Sequence, residues 1–264
     1  CQCGLFNRDR ITYVLHMAMD DLTGKKPAPP ALDPDGDALF LDFDGCLVDI
    51  APRPDAVVIP ESLPQVLARL SAQLGGALAV VSGRSLHELE RFLLGYDGLM
   101  IGSHGAEARG MTPPLDESPD DLAALQTEMD HFAQQQGLLF EKKSHGGALH
   151  FRADPSRQPE VEAFTETLAE RFPAFAIQPA KMAVELRPDG FSKDGALVLL
   201  TQLPQFSGRM PVYAGDDTTD EPALAWAEAH GGYGIKIGDG KSAARYHLAE
   251  PGDIRDWLAA AVEE

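Results

Sequence analysis

The chain has 264 residues, 44% hydrophobic and 24% charged, which is ordinary for a folded protein and leaves room for one large domain or two modest ones. Its net charge of −19 argues against binding to nucleic acid or anionic membranes, both of which need a basic face, and no apolar run approaches the roughly 18–20 residues of a membrane span. Three cysteines, Cys1, Cys3 and Cys46, make no disulfide framework, so a reducing, cytoplasmic setting is expected. Cys1-x-Cys3 has no second Cys/His pair nearby to complete a metal site.

In chain order, residues 1–37 read as an extension and linker. Ile11 to Met19 is apolar-rich but lacks a cleavage site, and Met17 or Met19 offers a start, so the first sixteen residues are expected to be a leader or an addition. Lys25 to Asp37, with four prolines, is a linker by composition. Ala38 to Leu41 then predicts a buried strand running into Asp42-Phe43-Asp44-Gly45. Leu63, Val66, Leu67, Leu70 and Leu74 fall at helical spacing and Gly75-Gly76 ends that helix. Ala77 to Val81 is a second apolar run, ending at Ser82-Gly83-Arg84. A helix through Leu86, Leu89, Phe92 and Leu93 follows, then a third run, Leu99 to Ile101, ending at Gly102-Ser103-His104-Gly105-Ala106-Glu107. Strand, polar tip and helix in alternation predict a parallel sheet with crossover helices over 38–108.

The rhythm changes over 109–187. Ser118-Pro119-Asp120-Asp121 reads as a helix start with Ser118 as its cap, Leu122, Leu125, Met129 and Phe132 as its buried face and Gly137 as its end. Paired strands are expected at Leu138–Phe140 and Ala148–Phe151, a helix at Pro159–Phe172, and further strands at Phe175–Ile177 and Met182–Leu186. Antiparallel strands with helices predict an inserted α+β module. The first rhythm returns over 188–264: a helix from Lys193, a strand Met210–Ala214 ending at Gly215-Asp216-Asp217-Thr218-Thr219-Asp220-Glu221, a short strand Gly232–Ile237, and a closing helix through Ile254, Trp257, Leu258 and Ala261.

Two carboxylates at a strand's carboxyl end sit where open α/β sheets bind ligands, and they repel each other unless a cation or proton compensates. Mg²⁺ is suited to that task, since it takes oxygen ligands from carboxylates and phosphates. Taken singly, Asp42-x-Asp44-Gly45, Ser82, Lys193 and Gly215-Asp216-Asp217 each also read as a turn, a cap or a surface charge. Taken together and in this order, they resemble the four motifs of the haloacid-dehalogenase superfamily of phosphohydrolases. Longer matches are similar to the trehalose-6-phosphate phosphatases within it: Ser82-Gly83-Arg84, His104-Gly105-Ala106-Glu107, Leu149-His150-Phe151-Arg152, Lys181 with Glu185-Leu186-Arg187-Pro188, and Gly215-Asp216-Asp217-x-Thr219-Asp220-Glu221.

The resemblance implies an α/β fold, a Rossmann-like parallel-sheet core carrying an inserted α+β cap of the C2 type. It implies Asp42 as nucleophile, Asp44 as general acid and then base, and Ser82 and Lys193 on the phosphoryl oxygens. Mg²⁺ is implied on Asp42, the backbone carbonyl of Asp44 and Asp216, with Asp217 and Asp220 behind it. Arg84, His104, Lys143, His150, Arg152, Lys181 and Glu185 are the expected substrate contacts. The expected partner is a small sugar phosphate, and a monomer is the expected state. Two positions depart from the family pattern: Cys46 replaces a threonine, which implies slower rather than absent turnover, and Asp194 replaces a glycine, where an acid either draws Lys193 away from phosphate or favours the helix N-terminus. Open alternatives are a related phosphatase for sucrose 6-phosphate or mannosyl-3-phosphoglycerate, a phosphotransferase, and a silent sugar-phosphate-binding protein.

Overall fold

The computed structural model describes residues 26–51, 53–115, 118–180 and 182–263. The expectations for Cys1-x-Cys3, for residues 11–19 and for Lys181 lie outside the described residues. Among the described residues the main sheet has seven strands: β1 (Asp37–Leu41), β2 (Leu78–Val81), β3 (Leu99–Gly102), β4 (Glu107–Arg109), β9 (Met210–Gly215), β10 (Tyr233–Ile237) and β11 (Tyr246–Leu248). Their order is β11-β10-β9-β1-β2-β3-β4, parallel throughout except for β4, which runs antiparallel to β3. From β1 the chain first builds outward through β2 and β3, then returns to the other side of β1 with β9. The β1–β9 pair is therefore the point where strand order reverses and a crevice opens at the carboxyl ends. Residues of β1 are buried on both faces, as a central parallel strand requires.

The helices of this layer are α1 (Leu63–Gln73), α2 (Leu86–Phe92), α5 (Lys193–Leu200), α6 (Glu221–Ala229) and α7 (Pro251–Glu263). No helix among the described residues is long and apolar enough to cross a membrane. The Ser85 cap of α2 is a full capping box with Glu88, and α5 is capped by Ser192, whose hydroxyl accepts from the Gly195 amide. Neither β4 nor α6 carries a strong enough period to be read from sequence: β4 is three residues long, and four of the nine residues of α6 are alanine, alternating along it. The proline-rich residues 26–36 are docked along the core: Lys26 Nζ donates to the carbonyls of Ser242 and Ala244, the Trp257 indole donates to the Pro30 carbonyl, and Leu32 is buried.

The second sheet is antiparallel, with order β5-β6-β8-β7, where β5 is Leu139–Lys142, β6 Gly147–His150, β7 Phe175–Ala180 and β8 Ala183–Pro188. Helices α3 (Leu122–Gln136) and α4 (Gln158–Arg171) cover one face around a separate apolar cluster that includes Leu125, Met129, Leu149, Val161, Leu168 and Leu186. Ser118 does not cap α3. The helix begins at Leu122, and the Ser118 hydroxyl instead lies 2.5 Å from His145 Nδ1 on the β5–β6 turn. A hydroxyl able to reach a histidine in a neighbouring segment is no longer available to a helix end, which is the tertiary contact that sequence spacing omits.

Asp37 opens β1 at the end of the sheet away from the crevice and is 1% exposed. Burial, with Asp33 adding, raises its carboxyl to about 6, against the pull of the Asp33 amide. A raised carboxyl stabilises the fold below its unfolded value of 3.8 and loses that contribution as pH rises through about 6. Asp37→Asn is therefore expected to raise the melting temperature at pH 8, with a gain of up to about 3 kcal/mol, and to have little effect at pH 4. Thermal melts at the two pH values check this.

Candidate active site

Three neighbouring strands deliver polar residues to one crevice. Asp42 follows β1, Ser82 follows β2 and Asp216 follows β9, while Lys193 is the first residue of α5. Lys193 Nζ donates to Asp42 Oδ1 at 2.6 Å and to Asp220 Oδ1 at 2.7 Å, and all three groups are buried. Burial alone lowers a lysine, but Asp220 and Asp42 outweigh it and hold this ammonium charged well above its usual range. Asp194, in the first turn of α5, does not divert it: Nζ reaches the two aspartates instead.

Asp220 is the hub of the site. Its Oδ1 accepts from Lys193 and from the Tyr213 hydroxyl at 2.6 Å, and its Oδ2 accepts from the Asp216 and Asp217 amides at 3.1 and 3.0 Å. With both oxygens doubly engaged, it organises the loop and has no lone pair left for an ion. Asp217 turns Oδ1 back onto the Thr218 amide and hydroxyl.

Asp42 and Asp216 differ from Asp220. Burial first and Asp220 second push the Asp42 carboxyl well up, while burial, Asp220 and Asp217 push Asp216 to about 7. Oxygens of Asp42, Asp216 and Asp220 lie within 4.8 Å of one another, and Asp216 Oδ1 is buried with no partner among the described residues. The Lys236 ammonium fixes the loop from behind by donating to the Asp216 carbonyl at 2.7 Å. Gly45 has φ +80, and a Cβ there would lie 2.1 Å from Asp216 Oδ2, so only glycine lets the Asp42–Gly45 turn close on that carboxylate. Crowded carboxylates, an unpartnered buried oxygen and an all-oxygen donor set fit a hard divalent cation. Cys46 is fully buried behind this turn, where burial and the Asp42 charge keep its thiol protonated.

Of the expected phosphate and acid/base groups, Ser82 is 1% exposed and accepts from the Arg84 amide at 3.1 Å. Asp44 is gripped by Arg84 at 2.6 and 2.8 Å, so Arg84 faces a carboxylate of the site. The loop Ser103-His104 has φ of 49° and 55°, a strained conformation for two non-glycine residues. It is held by bonds from its amides to the Arg84 and Ser82 carbonyls and by the Ser103 hydroxyl on Glu107.

The second sheet roofs the crevice. Lys143 Nζ lies 2.6 Å from Glu185 Oε2 and 3.5 Å from the Gly83 carbonyl, and His104 Nε2 lies 3.7 Å from the same glutamate oxygen. Burial alone would raise Glu185, but Lys143 and His104 bring it down to about 2, while burial lowers His104 and keeps it neutral near pH 7. His150 pairs with Glu141 at 2.7 Å, and Arg152 donates to the Ala51 carbonyl at 3.3 Å, a link from this sheet to the loop after Asp44. Between the two sheets lies a cavity of about 570 Å³, lined by Asp42, Asp44, Lys193, Lys143 and Glu185 among others. Glu141 also lines it and was not among the expected contacts. Its signal was Glu141-x-Lys143, since Lys143, one residue past the end of β5, continues the strand's two-residue period.

A trehalose-phosphatase family model matches residues 40–251. The trehalose-6-phosphate phosphatase of Escherichia coli K12 is 37% identical over 225 residues, 84% of this chain and 85% of that one. A probable trehalose-phosphate phosphatase of Sinorhizobium fredii is 40% identical over 210 residues, 78% of this chain and 79% of its own. Among solved structures, a trehalose-6-phosphate phosphatase related protein superposes with a TM-score of 0.73 at 27% identity, covering 85% of this chain and 96% of that one. The matched span contains both sheets apart from the first three residues of β1, and every crevice residue from Asp42 to Asp220, and on these findings the chain belongs to the trehalose-phosphatase family.

Proposed function

We propose that the chain is a Mg²⁺-dependent phosphatase that releases phosphate from trehalose 6-phosphate through an aspartyl-phosphate on Asp42. The observation carrying this reading is the convergence of Asp42, Lys193 and Asp216 at the strand-order reversal beneath a cavity of about 570 Å³, a volume in the usual range of small-molecule sites. Asp42, Asp216 and the Asp44 carbonyl are the residues that would hold Mg²⁺, which when bound would supply positive charge to offset that of the carboxylates and the phosphoryl group.

In the first step an Asp42 oxygen bonds to phosphorus, the bond from phosphorus to the sugar oxygen breaks, and that oxygen takes a proton from Asp44. In the second, a water oxygen bonds to phosphorus, its proton passes to Asp44, and the bond to Asp42 breaks, restoring both carboxyls. Lys193 fixes the nucleophile and offsets charge on the phosphoryl oxygens, with Ser82 beside it. Asp220 holds Lys193 and the two loop amides in place. The smaller sheet acts as a cap that excludes water. Lys143, Glu185, Glu141 and His150 read sugar hydroxyls from it, and His104 meets Glu185 from the core side. Lys181 belongs with these contacts by its place in the motif.

The test is phosphate release from trehalose 6-phosphate, sucrose 6-phosphate and mannosyl-3-phosphoglycerate, with Mg²⁺ or with EDTA. The expected result is a kcat/KM for trehalose 6-phosphate at least roughly tenfold above the others and lost in EDTA, since a site built on hydroxyl contacts discriminates through groups left unpaired. Preference for another sugar phosphate would reassign the substrate, and release independent of divalent ions would remove the metal.

A further inference from the structure

Arg84 follows Ser82 and Gly83 on the turn after β2, and the resemblance sets it among the substrate contacts. Its guanidinium is committed elsewhere. Nε donates to Asp44 Oδ2 at 2.6 Å and Nη2 to Asp44 Oδ1 at 2.8 Å, a two-point fork on one carboxylate. Nη1 reaches Glu88 Oε1 at 3.2 Å. The guanidinium carbon lies 5.0 Å from the Phe92 ring centre and 5.8 Å from that of Phe43, and these two rings stack on each other. Glu88 is itself fixed, because its other oxygen accepts from the Ser85 amide at 3.2 Å and hydroxyl at 2.7 Å in the capping box of α2. The Arg84 side chain is only 11% exposed. The N-terminus of α2 thus fixes Glu88, Glu88 and two aromatic rings fix Arg84, and Arg84 fixes Asp44.

A carboxylate offers about four lone-pair sites, and a side-on guanidinium fork takes one on each oxygen. One site on each Asp44 oxygen is left, first for the proton that passes to the leaving oxygen and then for the proton taken from water, with the carboxyl plane already set. Prepaid orientation of an acid/base group supports proton transfer in the transition state without strengthening ground-state binding. Lysine carries the charge but not the planar fork.

We propose that Arg84 is a positioning residue for Asp44, acting through that carboxylate rather than on the phosphoryl group. This rests on the reading of Asp44 as acid and base. Two leaving groups of different basicity separate the possibilities. A sugar alkoxide needs a proton to leave, whereas p-nitrophenolate leaves without one, so defects in the acid show on the first substrate and defects in phosphoryl binding show on both.

The experiment measures single-turnover release of trehalose from trehalose 6-phosphate and of p-nitrophenolate from p-nitrophenyl phosphate, with Mg²⁺, for wild type, Asp44→Asn, Arg84→Met, Arg84→Lys and Glu88→Gln. Loss of a positioned acid typically costs about 10²–10⁴-fold. Arg84→Met is expected to lose at least about 30-fold more in single-turnover rate on the sugar phosphate than on the aryl phosphate, a fraction of the general-acid contribution, with the KM from separate steady-state assays nearly constant. Arg84→Lys is expected to restore little of it. Glu88→Gln, which keeps Arg84 but loosens it, is expected to show the same selectivity at smaller size, and it serves where Arg84→Met fails to fold. Equal losses on both substrates with rescue by lysine would overturn the proposal in favour of phosphoryl binding. An Arg84→Met enzyme as fast as wild type, or faster, on the sugar phosphate would also overturn it. If Asp44→Asn itself loses equally on both substrates, the assignment of Asp44 falls, and the positioning role with it, whereas selectivity for Asp44→Asn without selectivity for Arg84→Met sinks the positioning role alone.

Discussion

Asp42→Asn is expected to abolish phosphate release and, in the metal-free protein, to raise the melting temperature at pH 8. The two effects have one cause. Asp42 is 3% exposed and shares a small volume with Asp216 and Asp220, and burial and Asp220 push its carboxyl well up although Lys193 pulls the other way. A carboxyl raised in the fold stabilises the fold at low pH and costs stability as pH rises through its folded value, so the charged form is a liability at pH 8. The amide removes that charge and keeps nearly the same shape, and Lys193 retains Asp220 as a partner. As a nucleophile, though, an amide offers no carboxylate oxygen to phosphorus, and loss of such a group typically costs at least about ten-thousandfold in turnover. Melts at pH 5 and 8, with and without Mg²⁺, check the stability half. The variant's advantage is expected at pH 8 without metal, to shrink at pH 5, and to shrink again with Mg²⁺, because binding to the native state stabilises the wild type more than the variant.

Lys193→Met is expected to have the opposite effect on stability and a large but smaller effect on function. Removing one partner of a buried ion pair leaves the others uncompensated at a cost of about 3–5 kcal/mol. Here two carboxylates, Asp42 and Asp220, lose their shared cation together. The ammonium is raised above its ordinary range, so the stability it gives is fully present below the unfolded lysine value and spans the whole neutral range. Turnover is expected to fall by on the order of 100-fold or more, since a buried cation against phosphoryl oxygens is a large electrostatic contribution. Thermal melts of Lys193→Met at pH 5 and pH 8 distinguish charge from packing: the deficit narrows at pH 5, where the freed carboxyls take up protons, and stays constant only if the methylenes of the lysine carry the stability.

The fold and the crevice differ in how much of them can be read along the chain. β1 and β9 are apolar runs buried on both faces, and each ends in acids, so their parallel pairing and the placement of Asp42 and Asp216 follow from local pattern. Lys193 is legible as a helix start through Ser192. The roles of the remaining groups depend on contacts between distant segments. Asp220 reads as one acid among several, and only the fold brings Lys193, Tyr213 and two amides onto it. Arg84 and Asp44 are 40 positions apart, and nothing in either segment announces the fork that joins them. Ser118 has every local mark of a helix cap yet faces His145, because a tertiary partner competed with the local one. The prolines of residues 26–36 mark a linker by composition, but composition carries no information about the Trp257 and Lys26 bonds that dock it. Of the cavity residues carried by the second sheet, Glu185 stands in a recognisable motif, Lys143 stands in none, and Glu141 emerges only when the two-residue period of an extended chain sets it beside Lys143.

The most direct test of the account is the covalent state of Asp42 during turnover. Trehalose 6-phosphate labelled in its phosphoryl group is mixed with the Mg²⁺-loaded enzyme, quenched in acid within milliseconds, digested, and the label located by mass spectrometry. The account predicts an acid-stable, base-labile phosphoryl group on the peptide containing Asp42, absent from Asp42→Asn. Label on another residue, or steady release of phosphate with no labelled protein at any quench time, would contradict it.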